Sequence, residues 1–146
     1  MTTIELNQNL LLFGKDYFES LPNSEKYIFN SRNHYLHVQY QPVHNPNAII
    51  FFLHGYGSHG NRPPHRYFSE YFNKMNYSYI SFDFQGHGRS TGQRGIIENY
   101  EHLIEDALEI LIEFYQKMEI NLPFFLFGHS MGGGVTLFLS HLGHQR

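Results

Sequence analysis

Three apolar runs in this chain break off into glycine-rich turns: NAIIFFL (Asn47 to Leu53) into HGYG, YSYISFDF (Tyr77 to Phe84) into QGHG, and FFLF (Phe124 to Phe127) into GHSMGGG. The first has no polar position after Asn47, the pattern of a parallel strand buried on both faces. Helical spacing separates the runs. Pro63-Pro64 can open a helix, and Tyr67, Phe68, Tyr71, Phe72 and Met75 follow at helical intervals. From about Asn99 to Met118, Tyr100, Leu103, Ile104, Ala107, Leu108, Leu111, Phe114, Tyr115 and Met118 make one stripe, with Glu98, Glu101, Glu105 and Glu109 opposite. Strand, helix, strand, helix, strand, helix predicts an α/β sheet with right-handed crossovers and helices on both faces. Ligands bind such sheets at the carboxyl ends of the strands, and all three glycine turns gather at that edge. Upstream, KYIFNS (Lys26 to Ser31) and HYLHVQYQ (His34 to Gln41) alternate apolar with polar residues about Arg32-Asn33 and predict a hairpin.

At 146 residues, with 41% hydrophobic and only 16% charged residues, the chain has the composition of a single globular domain. A formal net charge of -3 and ten scattered Lys and Arg give no phosphate-binding face, which argues against nucleic acid as a partner. There is no cysteine, hence no disulfide framework and no thiolate site. Near the N-terminus only Leu10 to Phe13 are continuously apolar, too short for a signal-peptide core or a membrane span. A soluble, cytoplasmic chain is expected.

Gly128-His-Ser-Met-Gly132 matches G-x-S-x-G, in which a serine sits on a sharp strand-to-helix turn and small residues are needed two positions to either side. The flanking context fits, because an apolar strand ends directly before Gly128 and a small-residue helix start follows. Such a turn lifts the Ser130 hydroxyl above the sheet and aims the Met131 N–H, at a helix N-terminus, where an oxyanion would form. A second donor must come from the loop after Leu53, and Tyr56, between Gly55 and Gly57 after His54, is the candidate.

Other chemistries fit less well. A phosphate-binding loop requires Gly-Lys-Ser/Thr, and no lysine follows the glycines; GxGxxG is missing after the first long strand, where a dinucleotide fold would place it. His34 with His37, and His141 with His144, have metal-like spacings, but no carboxylate or cysteine completes a ligand pattern, so exposed polar positions are expected and no metal or cofactor. Asp83 and His87 read as braces of their own loop. Glu105, Asp106 and Glu109 read as a solvated helix face.

HGYGSHGNR (His54 to Arg62), DFQGHGRSTGQRG (Asp83 to Gly95) and GHSMGGG (Gly128 to Gly134) come in an order and spacing that resembles the α/β-hydrolase fold. Within it they resemble the monoacylglycerol lipase and lysophospholipase branch, the serine aminopeptidase S33 or "hydrolase 4" type. The resemblance covers about residues 26 to 142. It implies the N-terminal portion of that fold: a hairpin plus parallel strands with crossover helices over 26–146, preceded by an N-terminal extension over 1–25. It also implies that Ser130 is an acyl-accepting nucleophile, that the N–H groups of Tyr56 and Met131 form the oxyanion hole, and that the substrate is a lipid-like ester, with peripheral membrane contact. His54, Gly55, Gly57, Gly128 and Gly132 support the motifs. Relatives often read Glu-His-x-x-Arg-Tyr after the first glycine motif, where this chain keeps His59 and Arg62 but has Ser58 and Pro63.

In that family the triad acid and histidine follow the serine, together with further strands and a cap, and they are not among these residues. After Ser130 there is no Asp or Glu. On a continuing helix His141 and His144 would lie roughly 16 to 21 Å from the turn. An unassisted serine is a poor nucleophile, so weak or absent turnover is expected of the chain as written. FFLF, central in the family's sheet, is expected here to form an apolar edge open to self-association. The alternative reading is a non-catalytic fragment of the same fold that binds or dimerises.

Overall fold

A computed structural model describes residues 25–63, 65–118 and 122–144. Of the expected N-terminal extension only Glu25 is among them, and Pro64 also lies outside. Strands β1 (Glu25–Phe29) and β2 (Tyr35–Gln41) form the hairpin, followed by β3 (Ala48–Leu53), helix α1 (His65–Lys74), β4 (Tyr77–Phe82), helix α2 (Tyr100–Met118), β5 (Phe124–Gly128) and helix α3 (Met131–His144). One five-stranded sheet takes the order β1-β2-β4-β3-β5. β1, β2 and β4 pair antiparallel, whereas β3 pairs parallel with both β4 and β5.

β3 explains its own sequence. With strands on both sides and helices on both faces it has no exposed position: all six residues are buried, Ile49, Phe51, Phe52 and Leu53 completely. On one face Ile49, Phe51 and Leu53 join Phe82 and Phe84 and meet Leu103, Ala107, Ile110 and Phe114 of α2 and Val135 and Leu139 of α3. On the other, Phe52, Ile50 and Tyr79 pack under Phe68 and Phe72 of α1. Each such side chain contributes about 1.5–3 kcal/mol of transfer free energy. A polar substitution in β3 therefore has no exposed face onto which it can turn.

The sequence pattern and the structure part company at several positions. Tyr67, Tyr71 and Met75 do not line the buried face of α1 but are 52%, 63% and 48% exposed; the buried side carries His65 and Ser69, with Phe68 and Phe72 beside them. In α2, Tyr115 is mostly exposed, and Ile110, outside the expected stripe, is fully buried. His37 is not an exposed polar residue: it is buried, and its Nδ1 lies 3.1 Å from Asp83 Oδ2. His34 is half-buried beside Thr91, 3.2 Å from its hydroxyl oxygen.

Asp106 is the clearest departure from the expected solvated face, being completely buried. The hairpin turn reaches down onto α2 to meet it. Arg32 Nη2 lies 2.6 Å from Asp106 Oδ1, and Asn30 Nδ2 donates to the same oxygen at 2.9 Å. Asn30 Oδ1 in turn accepts the N–H groups of Arg32 and His34, fixing the turn in which Asn33 is left-handed. Glu105 binds Arg32, and Glu109 accepts from the Ser31 hydroxyl, so the acidic stripe is a landing strip for the hairpin.

Burial pushes the Asp106 carboxyl up to about 6, against the pull of Arg32 and Asn30. Its folded value lies above its ordinary 3.8, so between those pH values the folded chain holds a proton that the unfolded chain lacks. The contribution of Asp106 to stability should then grow by about 2–3 kcal/mol as pH falls from 7 to 4. Urea unfolding of the protein and of Asp106→Asn at pH 7 and pH 4.5 checks this: the gain should be missing from the variant, and identical pH dependence in both would contradict it.

Candidate active site

β5 runs straight into α3 through His129 and Ser130. Ser130 has φ +53°, a left-handed conformation that a non-glycine residue adopts only when its surroundings impose it. The surroundings are two backbones packed without side chains between them. A Cβ on Gly128 would lie 2.6 Å from the Gly132 carbonyl carbon, and one on Gly132 would lie 2.5 Å from the Leu53 carbonyl carbon and 2.6 Å from His54 O. Those distances exclude any side chain at either position. His129 N donates to Leu53 O at 3.1 Å, stitching the turn to the end of β3. Ser130 is left exposed, and among the described residues its hydroxyl has no hydrogen-bond partner.

The HGYG loop lies against this turn. A Cβ on Gly55 would stand 3.3 Å from both Ser130 Cβ and His129 Nδ1, which puts the Gly55 backbone beside the serine. His54, completely buried, holds that backbone. Its Nε2 accepts the Phe84 N–H at 3.0 Å, so the proton is on Nδ1, which donates to Gly55 O at 2.7 Å. Burial drives the His54 pKa down to about 4, and the ring is neutral at physiological pH. Gly55 O also accepts from Ser58 N at 3.1 Å. In a trans peptide the N–H opposes the carbonyl, so fixing Gly55 O turns the Tyr56 N–H the other way. Among the described residues neither Tyr56 N–H nor Met131 N–H donates to a protein acceptor.

The loop after β4 buttresses the assembly. Asp83 is buried and accepts from Gly60 N at 2.7 Å, Arg89 N at 2.9 Å and His37 Nδ1 at 3.1 Å. Burial opposes its charge, but these donors outweigh it and hold the carboxyl below its ordinary value. With its lone pairs committed to two loops and a strand, Asp83 acts as a brace. His87 is buried 5.4 Å, ring to ring, from His54 and 5.5 Å from Tyr56. The Tyr56 ring is 64% exposed, and its hydroxyl donates to Gly95 O at 2.8 Å, tying the first glycine loop to the second.

A cavity of about 400 Å³ opens next to the turn, walled by Phe68, Phe127 and Pro63, with Arg62, His65 and His129 at its polar side. The His65 and His129 rings are 6.3 Å apart. The exposed His141 lies in the third turn of α3, and the side chain of His144 is outside the described residues. Among the described residues no group of three or more His, Cys, Asp or Glu is placed to hold a metal ion, and no helix is long and apolar enough to cross a membrane.

A mixed sheet whose neighbouring parallel strands β3 and β5 end in a glycine loop and a left-handed serine turn defines the N-terminal part of an α/β-hydrolase. The comparisons agree. The family model described as Hydrolase_4, serine aminopeptidase S33, matches residues 44–146. Human monoglyceride lipase is 31% identical over 121 residues, covering 82% of this chain and 39% of that protein; the monoglyceride lipase homolog of monkeypox virus is 30% identical over 111 residues, covering 75% and 39%. A solved structure of a soluble variant of the Saccharomyces cerevisiae monoglyceride lipase, with a substrate analog, superposes with a TM-score of 0.67 at 21% identity, over 81% of this chain and 38% of that one. The chain belongs to the serine aminopeptidase S33 family of α/β-hydrolases, and resembles its monoglyceride lipases. It spans about two fifths of the length of those relatives.

The glycine contacts make a sharp prediction. Gly132→Ala should destabilise the fold by about 3 kcal/mol or more, or prevent folding. Gly133→Ala, whose Cβ would meet nothing closer than Gly128 O at 3.5 Å, should be neutral or stabilising by up to about 1 kcal/mol because alanine favours helix. Denaturant unfolding of the two variants measures this, and equal stability would contradict the packing described.

Proposed function

We propose that this chain carries the nucleophile half of a carboxylic ester hydrolase acting on lipid-like esters of the monoacylglycerol type. The observation that carries the reading is the exposed, left-handed Ser130 between two glycines, with the Gly55 backbone beside it. Ser130 Oγ would attack the ester carbonyl and lose its proton as the bond forms. The resulting oxyanion would take hydrogen bonds from Tyr56 N–H and Met131 N–H, the second backed by the N-terminal dipole of α3. Expulsion of the alcohol, which takes up a proton, leaves an acyl-serine that water then hydrolyses. The aromatic walls of the cavity beside His129 suit an apolar portion of such a substrate, and its volume lies in the usual range for small-molecule sites.

The base is what these residues do not supply. His54 has one nitrogen bonded to Phe84 N–H and the other to Gly55 O, and Asp83 is committed to its loops. The proton of Ser130 would have to pass to solvent. Without an activating base, oxyanion stabilisation and binding alone leave ~10³ to 10⁴-fold acceleration over water. The 146-residue chain should therefore be a slow esterase at most, and family-level activity would require an acid and a histidine brought to Ser130.

A fluorophosphonate probe tests nucleophile and base together. The chain should label over hours and not seconds, and Ser130→Ala should abolish the labelling. Labelling that persists in Ser130→Ala would overturn the assignment of the nucleophile. Labelling within seconds would show that a base is already in place.

A further inference from the structure

On the reading that the Tyr56 N–H receives the oxyanion, we propose that the Tyr56 side chain holds that amide in place. Its hydroxyl, tied to Gly95 of the second glycine loop, is a strap that keeps the N–H turned toward Ser130, and the hydroxyl and Gly95 are positioning groups of the oxyanion hole.

The Gly55–Tyr56 peptide is a rigid plane, and holding it at one point leaves it free to pivot. Gly55 O is one fixed point, bonded to His54 Nδ1 at 2.7 Å and to Ser58 N at 3.1 Å. A second is needed at the Cα of Tyr56. The glycines on either side bring no side chain that could supply it, and Gly57 stands at φ +72° with open space where a Cβ would be. Between them only Tyr56 has a side chain with which to grip the rest of the molecule. Its hydroxyl donates to Gly95 O at 2.8 Å, thirty-nine residues on, and its ring stands edge-on to buried His87, with centroids 5.5 Å apart and planes at 78°. The two ends of the side chain thus fix the direction of the Cα–Cβ bond, and with it the second point of the peptide plane.

A strap is as firm as its anchor, and Gly95 belongs to a loop closed tightly on itself. Gly95 N donates to Gly86 O at 2.9 Å, and Gly86 N donates to Thr91 O at 3.0 Å. The loop packs backbone on backbone: a Cβ on Gly86 would lie 2.5 Å from Gln93 O, and one on Gly92 would lie 2.7 Å from Gly86 N. Arg94 spans it, its guanidinium donating to Gly88 O at 2.8 Å and to Ser90 O. Thr91 N donates to Tyr35 O at 2.9 Å and pins the loop to β2. None of these contacts involves β5 or α3, so the anchor is independent of the serine turn that it serves.

Tyr56→Phe keeps the ring and removes the tie. Because one hydrogen bond is lost, fluorophosphonate labelling of Ser130 should slow by about threefold to tenfold, while the urea midpoint stays at that of the parent. Proton–nitrogen spectra of the labelled chains read the position of the amide itself. The downfield displacement that phosphonylation causes at residue 56 in the parent should shrink in Tyr56→Phe, and the displacement at Met131 should not. The parent's labelling rate together with an undiminished displacement in Tyr56→Phe would overturn the strap. So would a loss confined to Tyr56→Ala, which would assign the anchoring to the ring contact with His87. No displacement of Tyr56 in the parent would overturn the oxyanion-hole reading along with the strap.

Discussion

Where β3 ends and α3 begins, two stretches of backbone touch with nothing between them. A Cβ on Gly132 would collide with the carbonyls of Leu53 and His54, and His129 N is bonded to Leu53 O. That contact fixes how high the α3 N-terminus stands over the sheet and forces Ser130 into its left-handed conformation. The shift of about an ångström that a side chain at Gly132 would demand would move the serine away from the Gly55 backbone beside it. The left-handed geometry is unfavourable for serine and persists because the tightly packed strand, turn and helix leave no alternative.

Around this contact the polar interior holds loops and not substrates. His54, made neutral by burial, joins Phe84 N–H to Gly55 O and so couples the end of β4 to the loop after β3. Asp83, kept charged by its three donors, joins two loops and β2. Asp106 and Asn30 do the same for the hairpin and α2. His54 has both ring nitrogens paired and Asp83 both carboxyl oxygens, the condition under which burying a polar group is tolerable. At Asp106, by contrast, only Oδ1 is bonded and Oδ2 has no partner among the described residues, in keeping with its raised pKa. The glycine turns thus stand on a rigid frame.

The strands were legible in the sequence because their patterns are local. Six consecutive apolar residues in β3 admit a strand buried on both faces, and the alternation about Arg32-Asn33 admits a hairpin. The turn at Ser130 was legible because its motif is local, with Gly128 closing on Gly132 and Gly133 within one short stretch, although the contact that requires Gly132 is made by Leu53 and His54, far back in the chain. Asp106, His37 and the orientation of α1 were not. Asp106 reads as solvated unless one knows that Arg32 and Asn30, more than seventy residues earlier, land on it. His37 needs Asp83, forty-six residues on, to become a buried partner. Tyr67 and Tyr71 share the helical spacing of Phe68 and Phe72, and only the position of β5 decides which pair is covered.

An oxyanion hole at Ser130 depends on where the Tyr56 and Met131 amides point. The direct measurement is a proton–nitrogen correlation spectrum of the chain before and after prolonged phosphonylation of Ser130. If both amides bind the phosphonyl oxygen as they would an oxyanion, their protons should move downfield together while Gly57 and Gly133 scarcely shift. An adduct that moves Met131 alone, or neither, would show that the HGYG loop does not face the serine and would contradict the hydrolase reading of this site.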